Sequence, residues 1–332
     1  MGERAMAYLE PELQTSVAMA SGPDAPALRT LDFGDQSGEL TILIPTYHDD
    51  ASALVHALGK CAGAHRVRLV IYDDGSHDQV LEARLIQALL AFPGTARVMI
   101  ADVNVGRSKA RNILLSDAET DWVIFLDADM LPDDHLFLAR YFDAVRQSTS
   151  PAVYCGGFSL KRAEVTDACK LHAAQSLASE TISVAERNLA PGRYIFTSNL
   201  LVHKAVLHAV AFDGGYKGWG WEDVDWGLSV EQRYPVRHID NSATHLGLDT
   251  DDALIAKYAG SGDNFARLAQ RHPSASLTMP LYRVAKRLRC AGPAAIALQA
   301  TCAWTAKSAI LPTRVRLGAL KLMRAAAYAR SI

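Results

Sequence analysis

The chain has few cysteines, no long uninterrupted apolar run and almost no net charge, and each shortage narrows its class. Its five cysteines, Cys61, Cys155, Cys169, Cys290 and Cys302, are odd in number and widely spaced, with no C-x-x-C pair. That argues against a disulfide framework or a thiolate zinc site and fits a reducing compartment. The most apolar C-terminal stretch, residues 291–311, contains Gly292-Pro293, Gln299 and Lys307, whereas a spanning helix needs about 20 apolar residues in a row. The first residues, M-G-E-R-A-M-A-Y-L-E, lack the basic and apolar regions of a signal peptide, and Gly2 lacks the downstream Ser or Thr of a myristoylation site. A net charge of −2 gives no bulk attraction for nucleic acid. There is no internal repeat.

The small net charge hides an asymmetry. Residues 281–332 hold ten Lys or Arg and no Asp or Glu, which leaves 24 basic against 36 acidic residues, or −12, in the first 280. A basic segment on an acidic body suits an anionic partner or a membrane surface. The cationic stretches with Leu, Trp and Ala between them read as interfacial helices held by anionic lipid, or as a soluble helical subdomain with a basic outer face.

A length of 332 residues allows one large α/β domain or two smaller ones. Apolar runs at 40–45, 67–72, 96–101 and 122–126 alternate with helical patterns at 51–61, 79–91 and 132–147 and with a third helix opened by residues 104–112. That alternation predicts a parallel, doubly wound sheet flanked by helices. The second half is less regular. It predicts strands at 152–160, 194–203, 236–239 and 242–246, and helices at 166–188, 222–233, 249–271, 281–290, 294–310 and 313–329. Residues 1–38, rich in Ala, Pro, Gly and Asp, read as a peripheral extension.

Three predicted strands end in polar loops, and ligands bind at that edge of open α/β sheets. Pro45-Thr46-Tyr47 follows the first strand, with Asp49 or Asp50 able to cap the next helix. Asp73-Asp74-Gly75-Ser76 follows the second; a carboxylate there can accept from a base N–H or a ribose hydroxyl, or can simply make a turn. Residues 104–112, N-V-G-R-S-K-A-R-N, combine amides at a helix start with Arg107, Lys109 and Arg111, which makes an anion site. Asp127-Ala128-Asp129 closes the run W-V-I-F-L. Two carboxylates at that spacing can face one hard cation and leave room for phosphate oxygens, or form a solvated turn. In residues 218–225, G-W-G-W-E-D-V-D, carboxylates stand beside aromatic faces that suit a sugar ring.

In this order and at these distances, I-P-T-Y, D-D-G-S, N-x-G-x-x-x-A-R-N, D-A-D and G-W-G-x-E-D-x-D resemble the family-2 glycosyltransferases of GT-A fold. The last motif is similar to the segment of β-1,4-galactosyltransferases and polypeptide N-acetylgalactosaminyltransferases. The resemblance spans about residues 40–250. It implies that Pro45, Thr46, Tyr47, Asp73, Asp74, Gly106, Arg111, Asn112, Asp127 and Trp219 bind a nucleotide sugar. It also implies that Asp127, Asp129 and a late histidine, His245 with His238 as competitor, hold Mn²⁺ or Mg²⁺. Asp223 matches the catalytic base, and Glu222 the residue that holds a substrate hydroxyl. A single base and one in-line displacement imply inversion at the sugar.

These expectations divide the chain into an extension (1–38), a GT-A domain (39–272, with halves 39–131 and 132–272) and a basic helical tail (273–332). The expected partners are a nucleotide-sugar donor, most naturally a UDP-sugar, a glycan or lipid-linked glycan acceptor, and an anionic membrane bound through 281–332. The expected location is the cytoplasmic face of a cell membrane. Two rivals stand beside this reading. A sugar nucleotidyltransferase would want a Gly-rich basic loop after the first strand, where Pro45-Thr46-Tyr47 stands. A non-catalytic nucleotide-sugar scaffold would not need both the D-x-D and the E-D pairs.

Overall fold

The computed structural model describes residues 14–19 and 26–332. The chain divides into two compact units, Met1–Val145 and Arg146–Ile332.

In the first unit the strands are β1 (Gln14–Met19), β2 (Ala27–Phe33), β3 (Leu40–Thr46), β4 (Val67–Asp73), β5 (Thr95–Ala101) and β6 (Trp122–Leu126), hydrogen-bonded in the order β1-β2-β5-β4-β3-β6. A short strand, β7 (Met130–Pro132), follows. The four predicted strands β3 to β6 are mutually parallel, with Thr46 opposite Asp73 and Leu43 opposite Phe125. Ile42, Leu43, Ile44, Leu69, Val70 and Ile71 are fully buried, as strands covered on both faces require. The covering helices are α1 (Ser52–Gly59), α2 (Gln79–Leu90), α3 (Arg107–Ser116) and α4 (Phe137–Gln147). Asp78 caps α2 by accepting from the amides of Val80 and Leu81.

Part of the expected 1–38 extension is ordered sheet. Strand β2 runs antiparallel to β5, buries Leu28, Leu31 and Phe33, and is tied down by Asp32 to Arg97 at 2.7 Å. By the period of a strand Leu31 and Phe33 share one face and Leu28 and Thr30 the other, so both faces of β2 are partly buried. Residues 1–13 and 20–25 lie outside the described part.

In the second unit β8 (Val153–Cys155) pairs antiparallel with β10 (Asn199–His203) and parallel with β11 (Val236–His238). Strand β9 (Phe158–Ser159) pairs with β12 (Ala243–His245). The helix expected over 166–188 is two, α5 (Lys170–Ser179) and α6 (Val184–Arg187). Between them stand β-branched Thr181 and Ile182, and Ser183 opens α6 with a capping box to Glu186. Only the end of 194–203 is strand, because Pro191–Tyr194 form a 3₁₀ turn; α7 (Lys204–Ala209) follows β10 unforeseen. Next come α8 (Glu222–Val230), then α9 (Asp251–Gly260) and α10 (Gly262–Arg271), parted at Gly260-Ser261-Gly262. The chain ends in α11 (Pro273–Thr278), α12 (Pro280–Leu288), α13 (Pro293–Lys307) and α14 (Thr313–Tyr328).

The basic C-terminal segment is part of this unit's core. In α14, Leu320, Met323, Ala326 and Tyr328 are completely buried, against Leu254, Tyr258 and Phe265 among others. Arg316 is buried too, donating to Asp251 and to the carbonyl of Ala306. Among the described residues no helix is long and apolar enough to cross a membrane. The fold is mixed α/β, sheet flanked by helices, with a helical C-terminal region, as the sequence indicated.

Candidate active site

In the first unit the polar loops gather where β3, β4 and β6 end. Thr46 is buried; its hydroxyl donates to the carbonyl of Asp49 (2.9 Å), and its own carbonyl accepts from the amide of Asp74 (3.0 Å). Tyr47 is exposed, its ring 4.2 Å from that of His48. The neighbours Asp73 and Asp74 part company. Asp73 is half-buried and accepts from the amide and hydroxyl of Ser76 (3.0 and 2.5 Å). Asp74 is buried, and its two oxygens accept from the amides of Val105 (2.7 Å) and Gly106 (2.9 Å). It therefore fixes the loop that starts α3.

From α3, Arg107 and Lys109 point to solvent and Asn112 is exposed. Arg111 is buried, with one guanidinium nitrogen 3.7 Å from Asp127 and a buried Nε that has no hydrogen-bond acceptor. Asp127 and Asp129 are half-buried just beyond β6. Asp49 belongs with them. Its carboxyl is pushed up by desolvation and by the charges of Asp129 and Asp127, against the lowering effect of Arg107. Asp50, not Asp49, serves α1, accepting from the amide of Ser52 (3.0 Å). The sequence left Asp49 and Asp50 both open as caps, and an adjacent pair of acids gave no sign of which one lay within electrostatic reach of the D-A-D turn.

In the second unit the predicted catalytic residues open α8. Gly218 and Gly220 have φ of +70° and +96°, and Trp221 itself has φ of +78°. A left-handed tryptophan is unusual and is held from several sides. Its indole N–H donates to the Tyr328 hydroxyl (3.1 Å), its ring lies 4.6 Å from Phe265, and the Arg324 guanidinium stands 4.8 Å over it. Buried Asn264 clamps the loop, donating to the carbonyls of Lys217 (2.9 Å) and Gly220 (3.0 Å). Trp219 is half-buried with its ring 5.4 Å from Tyr258.

Asp223 is half-buried and accepts from the amide and hydroxyl of Thr197, all at 3.0 Å. This contact depends on a close crossing of α8 with the 3₁₀ turn. A Cβ on Gly227 would stand 2.1 Å from the Gly192 carbonyl oxygen, so only glycine fits. Glu222 is half-buried in the same helical turn. Asp225 faces the other way, buried against Arg271 (2.7 Å) and His272 (3.0 Å). Thr197 escaped sequence reasoning; the polar run T-S-N after Tyr194-Ile-Phe was its only signal.

The two candidate histidines differ. His238 is buried with both ring nitrogens engaged: one accepts from Arg187 (3.0 Å) and the other donates to the Pro191 carbonyl (2.9 Å). Burial, helped by the Arg187 charge, brings its pKa down to about 4. That is a structural, neutral imidazole. His245 is half-buried at the end of β12, its ring 5.8 Å from Phe158 and 6.2 Å from His172. Burial lowers the pKa of His172, and its Nδ1 accepts from the Asp249 amide (2.7 Å).

Among the described residues, no group of three or more His, Cys, Asp and Glu side chains is gathered closely enough to hold a metal ion alone. The carboxylate oxygens of Asp127 and Asp129 nevertheless suit Mn²⁺ or Mg²⁺, which fill the rest of their shell with phosphate oxygens and water. The carboxyl of Asp49 is raised first by desolvation and then by the charges of Asp129 and Asp127, and a cation would offset the second effect.

Residues 41–167 match the family described as Glycosyl transferase family 2. No curated protein matches the chain significantly. Among solved structures it is similar to the mannosyltransferase PcManGT from Pyrobaculum calidifontis, solved with GDP-Man and Mn²⁺, at 15% identity over 88% of this chain and 87% of that one, with a TM-score of 0.52. It also resembles S. aureus TarS 1-349 (16% identity, 86% and 89% covered, TM-score 0.47). A third is glucosyl-3-phosphoglycerate synthase from Mycobacterium tuberculosis (17%, 71% and 80%, TM-score 0.48). By sequence, residues 41–167 match the family-2 glycosyltransferases; by structure the chain has a mixed α/β fold of the GT-A type.

Proposed function

We propose that the chain is an inverting, metal-dependent glycosyltransferase. It would transfer a hexose or N-acetylhexosamine from a nucleotide sugar, in the first instance a UDP-sugar, to a glycan or lipid-linked glycan. The observation that carries this reading is the set at the β3, β4 and β6 ends: Asp49, Asp127 and Asp129 in mutual electrostatic reach, beside an amide-rich helix start pinned by Asp74 and a buried Arg111. Such a set suits a diphosphate with its counter-cation.

Asp127 and Asp129 would hold the cation; between the two histidine candidates of the second unit, the engagement of both His238 nitrogens favours His245. When bound, the cation neutralises charge developing on the leaving diphosphate. Asp73 offers the nucleotide the carboxylate that Asp74 cannot, since Asp74 serves the Val105 and Gly106 amides. Pro45, Thr46, Tyr47, Gly106 and Asn112 would frame the rest of the donor. Asp223 would take the acceptor hydroxyl proton on its carboxylate, which the amide and hydroxyl of Thr197 orient. Glu222 would hold a substrate hydroxyl.

The exposed cations Arg283, Lys286 and Arg287 on α12, with exposed Trp304 and Ile310 beyond it, suit an anionic membrane surface at the cytoplasmic face. A panel of nucleotide sugars with Mn²⁺, followed by nucleotide release and product analysis, tests the activity. Asp223→Asn is expected to lower kcat by about 10² to 10⁴ while donor binding persists. Unchanged turnover in that variant would remove the base assignment. Tight donor binding without transfer in the unaltered chain would favour a scaffold.

A further inference from the structure

A cavity of about 630 Å³ lies in the second unit, beside the start of α8 and outside the carboxylate sites described above. Its walls are mostly apolar: Phe196, Trp221, Val224, Met279, Leu281 and Leu322 all face it. The volume is that of a small-molecule site rather than a packing defect. It is open rather than sealed, since Val284 and Leu322 on its rim are each 36% exposed.

Its charges are few and uneven. Glu180 and Arg324 both line it and act on each other electrostatically. Arg193 and Lys321 line it as well, and neither has an acidic partner among the described residues. The cavity therefore combines an apolar interior with two unpaired cations. That combination fits an apolar chain ending in an anion and suits neither a neutral sugar nor a free inorganic ion.

The cavity and the proposed base share two stretches of backbone. Phe196 faces the cavity while its neighbour Thr197 binds the Asp223 carboxylate; Val224 faces the cavity while its neighbour Asp223 accepts from Thr197. A molecule seated in the cavity therefore lies beside the segment that orients Asp223.

We propose that this cavity seats the apolar chain of an amphiphilic acceptor, with a phosphate or carboxylate near its head bound by Arg193 and Lys321. The word acceptor rests on the glycosyltransferase reading above; the chain site does not. Gly318, on the cavity side of α14, supplies a clean perturbation. A Cβ there meets nothing within 4 Å, and the residue is in a regular helix, so a larger side chain enters the cavity without strain and raises helix propensity.

The test is calorimetric titration of the full chain with dodecyl phosphate below its micelle concentration, beside inorganic phosphate and a neutral dodecyl glycoside. One dodecyl phosphate per chain is expected, not displaced by inorganic phosphate. Gly318→Phe should weaken it at least about tenfold, near 1.4 kcal/mol, with an unchanged or higher melting temperature. Arg193→Gln with Lys321→Gln should weaken dodecyl phosphate several-fold and leave the neutral glycoside unaffected. Equal affinity in Gly318→Phe and the unaltered chain, or displacement by inorganic phosphate alone, would overturn the proposal. Nucleotide-sugar binding is titrated in parallel. Donor binding without chain binding overturns the cavity assignment and leaves glycosyltransfer standing. Chain binding without any donor binding upholds the chain site and overturns its role as an acceptor site.

Discussion

Replacing Asp74 by Ala is expected to destabilise the first unit without touching any exposed group. The carboxylate is only 4% exposed and accepts from two backbone amides, at 2.7 and 2.9 Å, across 31 and 32 residues of chain. A hydrogen bond to a charged group contributes about 1.5–3 kcal/mol net. Two bonds to one carboxylate are not fully additive, and water entering the vacated space recovers part of the loss, so about 3 kcal/mol is expected. For a cooperative unit of about 150 residues that is a fall in Tm of roughly 6–12 °C. Asp74→Asn turns one acceptor into a donor facing a donor and should cost about as much. Asp73→Ala removes only local bonds to Ser76, so less than about 1 kcal/mol is expected there. Urea denaturation and calorimetry of the three variants measure this directly. A loss below about 0.5 kcal/mol for Asp74→Ala, or a larger loss for Asp73→Ala, would refute the assignment of Asp74 to the loop.

Gly227→Ala should destabilise the second unit by more than about 1–3 kcal/mol, the ordinary cost of overpacking, although Ala is the better helix former, because the new Cβ meets the Gly192 carbonyl. Urea denaturation gives the sign. His238 titrates at about 4 when folded and near 6.5 when unfolded. Its stabilising effect is therefore full above pH 6.5, falls as the pH drops towards 4 and is absent below that, by an amount near 2 kcal/mol after screening. His172 acts in the same direction, so the difference between the unaltered chain and His238→Gln across that window is the measurement. Removing residues 281–332 should abolish cooperative melting of the second unit rather than only liposome binding, since burial of Leu320, Met323 and Tyr328 alone contributes about 5–9 kcal/mol.

The parallel strands of the first unit were legible because I-L-I, L-V-I and V-I-F are fully buried runs that local pattern determines. The loops after them were legible as chemistry but not as geometry. Asp73 and Asp74 are the same residue type one step apart, and only the return of the chain at Val105 and Gly106 separates a half-exposed carboxylate from a buried one. Asp49 and Asp50 are likewise adjacent acids, of which Asp50 bonds the Ser52 amide and Arg84 while Asp49 lies within electrostatic reach of Asp129 and Asp127. In the second unit the helical periods were visible, while the helices expected over 166–188 and 249–271 break at Thr181-Ile182 and at Gly260-Ser261-Gly262. The contact between Thr197 and Asp223 spans 26 residues and leaves no trace in either local pattern.

The basic segment shows most clearly what composition hides. Ten cations without an acid suggested an appendage held by its charge. Charge is a surface property, however, and the small residues between the cations were the more informative signal. Ala325, Ala326 and Ala327 let α14 pack closely, and the cations that fall on the inner face are satisfied there: Arg316 by Asp251 and a carbonyl, Arg324 by the faces of Trp221, Tyr258 and Tyr328. The remaining cations are left for the outer surface and for the cavity rim. Helix α8 is thereby fixed from two sides, by the Gly192 contact on one and by the Trp221 contact with α14 on the other. The proposed base thus depends on residues a hundred positions downstream, and the C-terminal helices belong to the machinery that orients it.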